Sequence, residues 1–177
     1  IAGQINKNFK FITLWGYDPI DCIEGEIPLL FKSSGFTQIF REVKASILNL
    51  VDTEYILMTR IDSDNCLGND FVEILQNNLI DEVPYYYDIK KMNVLDLRSG
   101  VQSTWNVDKT SGFISVMEKT SEFNQIPFSY IHSDIGNHIK GISLNLDVLL
   151  TVHGDNLCVK RTFGEKNNFD LKKYNIK

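Results

Sequence analysis

Cysteine, proline, positive charge and long hydrophobic runs are all scarce in this sequence of 177 residues. The three cysteines, Cys22, Cys66 and Cys158, are widely spaced and form no Cys-x-x-Cys pair. An odd and sparse set of this kind favours reduced thiols in a cytoplasmic setting over a disulfide framework. It also argues against a structural zinc site, which uses closely paired ligands. With four prolines, the sequence is not of low complexity either.

The charge balance excludes further classes of protein. Eighteen Lys and Arg residues stand against 23 Asp and Glu residues, which gives a net charge of −5. An acidic chain lacks the basic face that nucleic-acid binding or polybasic membrane attachment requires. No apolar run approaches the roughly 20 residues that cross a bilayer. The first residue is Ile1 rather than Met and no signal peptide is visible, so we expect residues 1–177 to be a single domain from a longer chain.

The hydrophobic pattern of the first half predicts alternating strands and helices. Phe9–Leu14 is a short apolar run before turn-forming residues, and Tyr55–Ile61 is a mostly apolar run of strand length. Between them, apolar residues at helical spacing predict an amphipathic helix that begins near residues 34–37. Asn69 is the predicted N-cap of a second helix. Strand, helix, strand and helix in this order predict a parallel sheet with crossover connections.

The second half has shorter apolar runs with polar interruptions. The strands predicted there are Tyr85–Ile89, Asn93–Leu97, Phe113–Glu118, Ile126–Ile131 and Leu146–Val152. Runs of this kind are typical of mixed or antiparallel pairing. The expected fold class is therefore α/β, with a mixed sheet flanked by helices.

The most informative stretch is Thr-Arg-Ile-Asp-Ser-Asp-Asn at residues 59–65, where two carboxylates follow a predicted buried strand. Ligands of open α/β sheets bind beyond the carboxyl ends of the strands. Asp62 and Asp64 can both reach one Mg²⁺ or Mn²⁺ ion, and such ions keep positions open for phosphate oxygens. Arg60 is a candidate to orient a carboxylate or contact a phosphate, with a structural ion pair as the alternative. The stretch therefore predicts a metal–diphosphate site.

Two other interpretations of this stretch stay open. Asp, Ser and Asn also form ordinary surface turns. The same residues fit part of a calcium-binding EF-hand loop, with Asp62, Asp64 and Glu73 at its first, third and twelfth positions. Against the calcium loop, Leu67 holds the position that requires glycine, and the preceding segment has the pattern of a strand rather than a helix.

Four passages carry a family resemblance: residues 4–11, residues 55–73 around Asp-Ser-Asp, residues 112–118 (Gly-Phe-Ile-Ser-Val-Met-Glu) and residues 152–156 (Val-His-Gly-Asp-Asn). In this order they resemble motifs of the bacterial rhamnosyltransferase family, within the wider glycosyltransferase-A fold. The resemblance implies metal-dependent transfer of a sugar, with rhamnose suggested, from a nucleotide-diphosphate donor to a saccharide or glycolipid acceptor. It also implies Mn²⁺ or Mg²⁺ as the cofactor.

The same resemblance implies a biological setting. The product would be a precursor of a bacterial surface polysaccharide, made in the cytoplasm at the inner side of the membrane. This setting leaves open a peripheral association with the membrane and gives nucleic acid no role. The alternative function is a non-catalytic α/β domain of the same fold that binds carbohydrate or a protein partner.

The chain also departs from the family pattern. It begins where the family's second strand would begin, so the first strand, which carries much of the nucleotide base pocket, is expected to be missing. Asn65 stands where the family usually has another aspartate, and its amide still offers a carbonyl oxygen. Gly112 rather than proline precedes Phe113, and His153 lacks the aromatic residue that the family tends to have before it.

Three weaker candidates complete the predicted site. A late histidine often completes the metal shell in glycosyltransferase-A folds, so His153 is a candidate ligand, with hydrogen bonding inside its loop as the alternative. Asp134 is the candidate general base for the acceptor hydroxyl, or else a helix N-cap. Trp105 and the tyrosines at 85–87 either stack on a sugar or pack within the sheet.

Overall fold

The computed structural model describes residues 4, 8–15, 26–30, 36–61, 65–107, 111, 113–124, 127, 132–153, 165–174 and 176. Eleven strands lie among these residues: β1 (Phe11–Trp15), β2 (Glu26–Leu30), β3 (Tyr55–Thr59), β4 (Asn65–Leu67), β5 (Tyr85–Ile89), β6 (Lys91–Asp96), β7 (Gln102–Asn106), β8 (Ser115–Lys119), β9 (Lys140–Leu144), β10 (Val148–Val152) and β11 (Glu165–Lys166). The described α-helices are α1 (Phe36–Leu48) and α2 (Phe71–Asn77). Short 3-10 helices occupy Thr120–Glu122, His132–Asn137 and Leu171–Tyr174. The protein is therefore a mixed α/β structure.

The described strands form three sheets. β1 and β2 make a parallel pair. A four-stranded sheet has the order β3-β8-β5-β9, and a five-stranded sheet has the order β11-β7-β6-β10-β4. Each of the larger sheets contains one parallel pair, β5 with β9 and β6 with β10, and its other pairs are antiparallel. The mixed pairing expected for the second half is thus confirmed.

The parallel sheet expected for the first half is wrong for β3. This strand pairs antiparallel with β8, so that Tyr55 lies opposite Lys119 and Thr59 opposite Ser115. The parallel partner of β1 is β2, a strand that the sequence interpretation missed. An apolar run reports that a strand is covered on both faces, but it carries no information about the direction of its neighbour.

The predicted helices are both present, and one predicted cap is wrong. α1 begins at Phe36, within the predicted range. The N-cap position of α2 is Asp70 rather than Asn69, and the Asp70 side chain makes no capping hydrogen bond; in the first turn, Val72 N–H donates to Gln4 Oε1 at 3.1 Å instead. Asn69 instead donates its backbone N–H to Lys173 O at 3.0 Å and its side-chain amide to Lys172 O at 3.4 Å. Both are donated hydrogen bonds that hold Asn69 against a distant segment, whereas an N-cap acts through its side-chain oxygen as an acceptor.

One hydrophobic core joins the two larger sheets. Phe71 and Leu75 of α2 pack with Tyr87 of β5, Val94 of β6 and Val148 of β10, each less than 3% exposed. A second cluster lies under α1. There, Val43 and Ile47 pack with Ile56 of β3 and with Ile12 of β1. The periodic apolar face of α1 therefore spans β1 and β3 together.

Other sequence predictions shift at their boundaries. β8 begins two residues after the start of the predicted strand Phe113–Glu118, and β10 begins two residues after the start of Leu146–Val152. The predicted strand Ile126–Ile131 lies outside the described residues except for Pro127, which is helical and buried. In the part of the chain that is described, no helix is long and apolar enough to span a membrane.

Candidate active site

The carboxyl ends of three strands meet at one edge of the four-stranded sheet. Because β8 is antiparallel to both β3 and β5, these two strands run parallel to each other, and β9 runs parallel to β5. Ser115 at the start of β8 lies opposite Thr59 and opposite Tyr87. The chain that leaves β3 towards the predicted carboxylates therefore leaves at the edge where β5 and β9 also end. This is the edge at which α/β sheets bind ligands.

Asp62 and Asp64 lie outside the described residues, but the residues on both sides of them are described. Ile61, just beyond β3, packs against the main core. Asn65 is the first residue of β4 and lies opposite Leu150 of β10, in the five-stranded sheet. Residues 61–65 therefore connect the two larger sheets, and the predicted metal-binding pair belongs to that connection.

Arg60 stands where the sequence places it, at the carboxyl end of β3. Its backbone N–H donates to Ile114 O at 3.0 Å, which extends the pairing with β8 by one step. Beside it, Thr59 Oγ1 and Ser115 Oγ lie 2.7 Å apart. The backbone that leads into the Asp-Ser-Asp sequence is thus fixed to its neighbour up to residue 60.

Asn65 holds the most unusual polar atom among the described residues. Its side-chain carbonyl oxygen Oδ1 is buried and has no hydrogen-bond partner there. Buried polar atoms in proteins nearly always have a hydrogen-bond partner. An unpaired one loses its hydrogen bonds to water and gains none in the protein, which destabilises the fold. An amide oxygen is also a good ligand for Mg²⁺, Mn²⁺ or Ca²⁺. The donor set of two carboxylates and this oxygen therefore fits a hard divalent cation.

His153 follows the end of β10 and is half-buried. Since β10 is antiparallel to β4 and Leu150 lies opposite Asn65, the end of β10 extends past the first residue of β4. Val152 lies opposite Asp96 at the carboxyl end of β6. The register therefore places His153 near the beginning of β4, which is the end of the strand that follows Asp64 in the chain.

A buried acidic residue that the sequence interpretation missed lies at the same edge. Asp88 in β5 is 4% exposed and accepts a hydrogen bond from Ser111 Oγ at 2.5 Å. Ser111 N lies 3.1 and 3.2 Å from the two carboxylate oxygens. Ser111 Oγ also accepts from the amide of Phe113, which packs against the core with Ile61. This pair fixes the segment before β8, and its only sequence signal is a charged residue inside an aromatic strand.

Asp134 is an exposed residue of the 3-10 helix His132–Asn137. Its Oδ1 accepts a hydrogen bond from Asn137 Nδ2 at 2.6 Å, and its Oδ2 lies 2.9 Å from His138 Nε2. The hydrogen bond with His138 and then that from Asn137 hold the pKa of Asp134 below its usual value. The neighbouring Ile135 packs against Ile114, at the start of β8. Asp134 is therefore ionised at neutral pH, on a helix that leads into the amino end of β9 and packs through Ile135 on one face of the four-stranded sheet.

For two of the four aromatic residues, Tyr85 and Tyr87, the stacking alternative is wrong and the packing alternative is confirmed. Tyr85 and Tyr87 are 8% and 0% exposed, with ring centroids 5.5 Å apart, and both belong to the core. Tyr87 Oη accepts the backbone N–H of Ile80 at 2.8 Å. Tyr86 and Trp105 are half-buried, and Trp105 also packs against the core. Tyr85 and Tyr87 lie on one face of β5 and Tyr86 on the other, because successive side chains of a strand point to opposite faces.

Other metal sites find little support. Among the described residues, no three His, Cys, Asp or Glu side chains come together as metal ligands. The calcium loop needs a helix before Asp62, whereas β3 stands there, so that interpretation is wrong.

Cys66, the one cysteine within the described residues, is a free, half-buried thiol whose pKa is raised by burial.

The chain matches no protein-family model and no curated protein sequence.

Proposed function

We propose that this protein is a metal-dependent glycosyltransferase with a glycosyltransferase-A-like fold. It transfers a sugar, with rhamnose as the suggested one, from a nucleotide-diphosphate donor to a saccharide or glycolipid acceptor in the cytoplasm. The observation that carries the proposal is the buried, unpartnered Oδ1 of Asn65 directly after Asp62 and Asp64. It supplies a third oxygen at the point where the chain passes from one sheet to the other.

Each candidate residue has a separate role in this proposal. Asp62 and Asp64 hold the cation, with Asn65 and His153 as further ligands, and Arg60 contacts the donor phosphate. When bound, Mn²⁺ or Mg²⁺ neutralises the negative charge that develops on the leaving diphosphate. The oxygen-rich set favours these cations over zinc, which prefers cysteine and histidine.

Asp134 is the proposed general base. The acceptor hydroxyl gives its proton to the Asp134 carboxylate as the hydroxyl oxygen forms a bond to the sugar carbon and the diphosphate leaves with the bonding electrons. The lowered pKa keeps this carboxylate ionised, which a base requires, and also makes it a weak base. Its exposure leaves room for an acceptor sugar.

Calorimetric titration with dTDP, UDP and GDP, each with and without Mn²⁺, tests the proposal. We expect binding that requires Mn²⁺ and that weakens at least about tenfold in Asp64→Ala, because one carboxylate ligand is lost. Asp52→Ala is the matched control, since Asp52 is an exposed residue of the loop before β3. Its affinity should equal that of the wild type. The preferred base identifies the donor nucleotide.

Two results would overturn the proposal. Absence of binding for all three nucleotides in the presence of Mn²⁺ would remove the enzyme interpretation. Equal loss of binding in Asp64→Ala and Asp52→Ala would show that the substitutions act through general destabilisation. Saccharide binding without any metal would instead favour the non-catalytic carbohydrate-binding domain.

A further inference from the structure

Residues 165–174 cross one face of the five-stranded sheet from edge to edge. They begin as β11, which pairs with β7, and near their end the carbonyl of Lys173 accepts a hydrogen bond from Asn69, just after β4. Between these points, Phe169 and Leu171 pack with buried side chains of β6 and β10. These side chains alternate along their strands with those of the main core, so they lie on the opposite face of the sheet. Segment 165–174 therefore covers the face that the core leaves.

The strand that carries Asn65 depends on this segment for support. β4 has three residues and, among the described strands, pairs with β10 alone, at the edge of the sheet. A strand with so few ladder hydrogen bonds opens easily. Cys66, its second residue, packs into the cluster formed with Tyr174, and Asn69 N–H donates to Lys173 O at 3.0 Å. The segment thus holds β4 both from one face and from its carboxyl end.

The segment also holds the residue that precedes β10. Lys173 Nζ donates to Asp147 Oδ2 at 2.8 Å. Asp147 O in turn accepts the N–H of Gly68 at 2.7 Å, and a Cβ atom at position 68 would lie only 2.6 Å from Asp147 Cβ. The chain just after β4 and the chain just before β10 are therefore in close contact, and both contact Lys173. The pairing that sets Asn65 opposite Leu150 is held at this end by the segment.

Tyr174 anchors the segment to the sheet. Its side chain is 6% exposed, and its hydroxyl oxygen accepts a hydrogen bond from Asn93 Nδ2 of β6 at 2.7 Å. Its ring meets that of Phe169 edge to face, with centroids 6.2 Å apart. Burial raises the pKa of Tyr174 to about 12, so the hydroxyl is neutral at physiological pH and fits this apolar cluster. Loss of the ring would release the segment while the β4–β10 ladder keeps its own residues.

We propose that segment 165–174 positions the cation ligand Asn65. With the segment docked, β4 is held in the register that supports cation binding, and when the segment opens, the affinity for the cation falls. This inference rests on the proposed function, because the cation site belongs to that proposal. Tyr174 is a positioning residue, since it acts through β4 rather than on the cation. The effect is reciprocal by linkage, so a bound cation holds the segment closed by the same factor.

Calorimetric titration with Mn²⁺ alone, combined with hydrogen exchange measured by mass spectrometry, tests this positioning role. We expect Tyr174→Ala to weaken Mn²⁺ binding at least about fivefold and to speed the exchange of the amides of residues 67–69. In the wild type, saturating Mn²⁺ should slow the exchange of residues 167–174 by the same factor and leave α1 unchanged. A merely structural role of Tyr174 would not produce this reciprocal slowing.

Phe123→Ala is the matched control, because Phe123 is a buried aromatic residue of the separate cluster under α1. It should lose stability to urea and keep the Mn²⁺ affinity of the wild type. If Tyr174→Ala fails to fold, Tyr174→Phe, which removes only the hydrogen bond with Asn93, and the exchange of the wild type give the answer.

The outcomes separate this inference from the proposed function. Equal Mn²⁺ affinity in the wild type and in the Tyr174 variant, an equal loss in Phe123→Ala, or Mn²⁺ slowing that extends equally to α1 would overturn the positioning role and leave the cation site standing. Absence of Mn²⁺ binding in the wild type would overturn the cation site itself, and this inference with it.

Discussion

Asp88 and Asn65 are both polar residues on strands of the core, yet they differ in their partners. Asp88 accepts hydrogen bonds from the backbone and the side chain of Ser111. Asn65 is half-buried as a residue, but its Oδ1 atom is buried and has no partner among the described residues. A buried group whose needs are met within the chain stabilises the fold. A buried group without a partner in the chain leaves a hydrogen-bonding or coordination position that a water molecule or an ion can fill.

The largest effect is expected from Asp88→Ala. The substitution removes the acceptor of three contacts and leaves the buried amide and hydroxyl of Ser111 without it. Hydrogen bonds to charged groups are worth more than neutral ones, so we expect a loss of about 3 kcal/mol in the free energy of unfolding. Urea denaturation followed by circular dichroism measures it. A loss as small as that of the exposed control Asp52→Ala would show that Asp88 is not a structural group.

Asn65→Leu should have the opposite character. Leucine is similar in size to asparagine and lacks the buried oxygen that has no hydrogen-bond partner. The free energy of unfolding of the metal-free protein should therefore change by less than about 1 kcal/mol. Mn²⁺-dependent nucleotide binding should fall about tenfold at the same time. Paired urea and calorimetric titrations measure both quantities. A stability loss comparable to that of Asp88→Ala, without an effect on binding, would reverse the comparison.

The smallest effect is expected at the ion pair between the half-buried Asp96 and the exposed Arg98. Hydrogen bonds from the side chain and then the backbone of Arg98 lower the pKa of Asp96 from 3.8 to about 2. Because the folded pKa is the lower one, the stabilisation is present above pH 3.8 and is lost as the pH falls towards 2. Asp96→Asn should flatten the decline of stability in this interval and leave neutral pH nearly unchanged. Urea midpoints at a series of pH values measure it. An equal decline in both proteins would contradict the assignment.

Local pattern predicted much of the secondary structure. The Tyr85–Ile89 strand is found with its predicted bounds, and α1 begins where its apolar spacing predicts. These elements bury regular faces, so their periodicity is visible in the sequence. Short polar strands such as Gln102–Asn106 and Lys140–Leu144 were missed because they are defined by pairing rather than by an apolar pattern.

Long-range partners could not be predicted in the same way. The Asp88–Ser111 pair joins residues 23 positions apart across a sheet, and nothing local announces it. The N-cap was predicted at Asn69 from its residue type, but the helix begins one residue later, and Asn69 donates hydrogen bonds to the distant Lys172 and Lys173. The carboxylates Asp62 and Asp64 lie outside the described residues, so the candidate metal site stays a prediction supported by Asn65 and by the register of β10.

The contact between Asn69 and Lys172 has a consequence for synthesis on the ribosome. The two residues are 103 positions apart, and the segment around Lys172 lies next to β4 through this contact. At ribosomal elongation rates, roughly 5–20 s pass between the synthesis of Asn69 and that of Lys172. During that interval this contact is absent, and β4 also lacks its pairing partner until residues 148–152 have been synthesised. Among the described elements, the end of the molecule that carries Asn65 is therefore completed last.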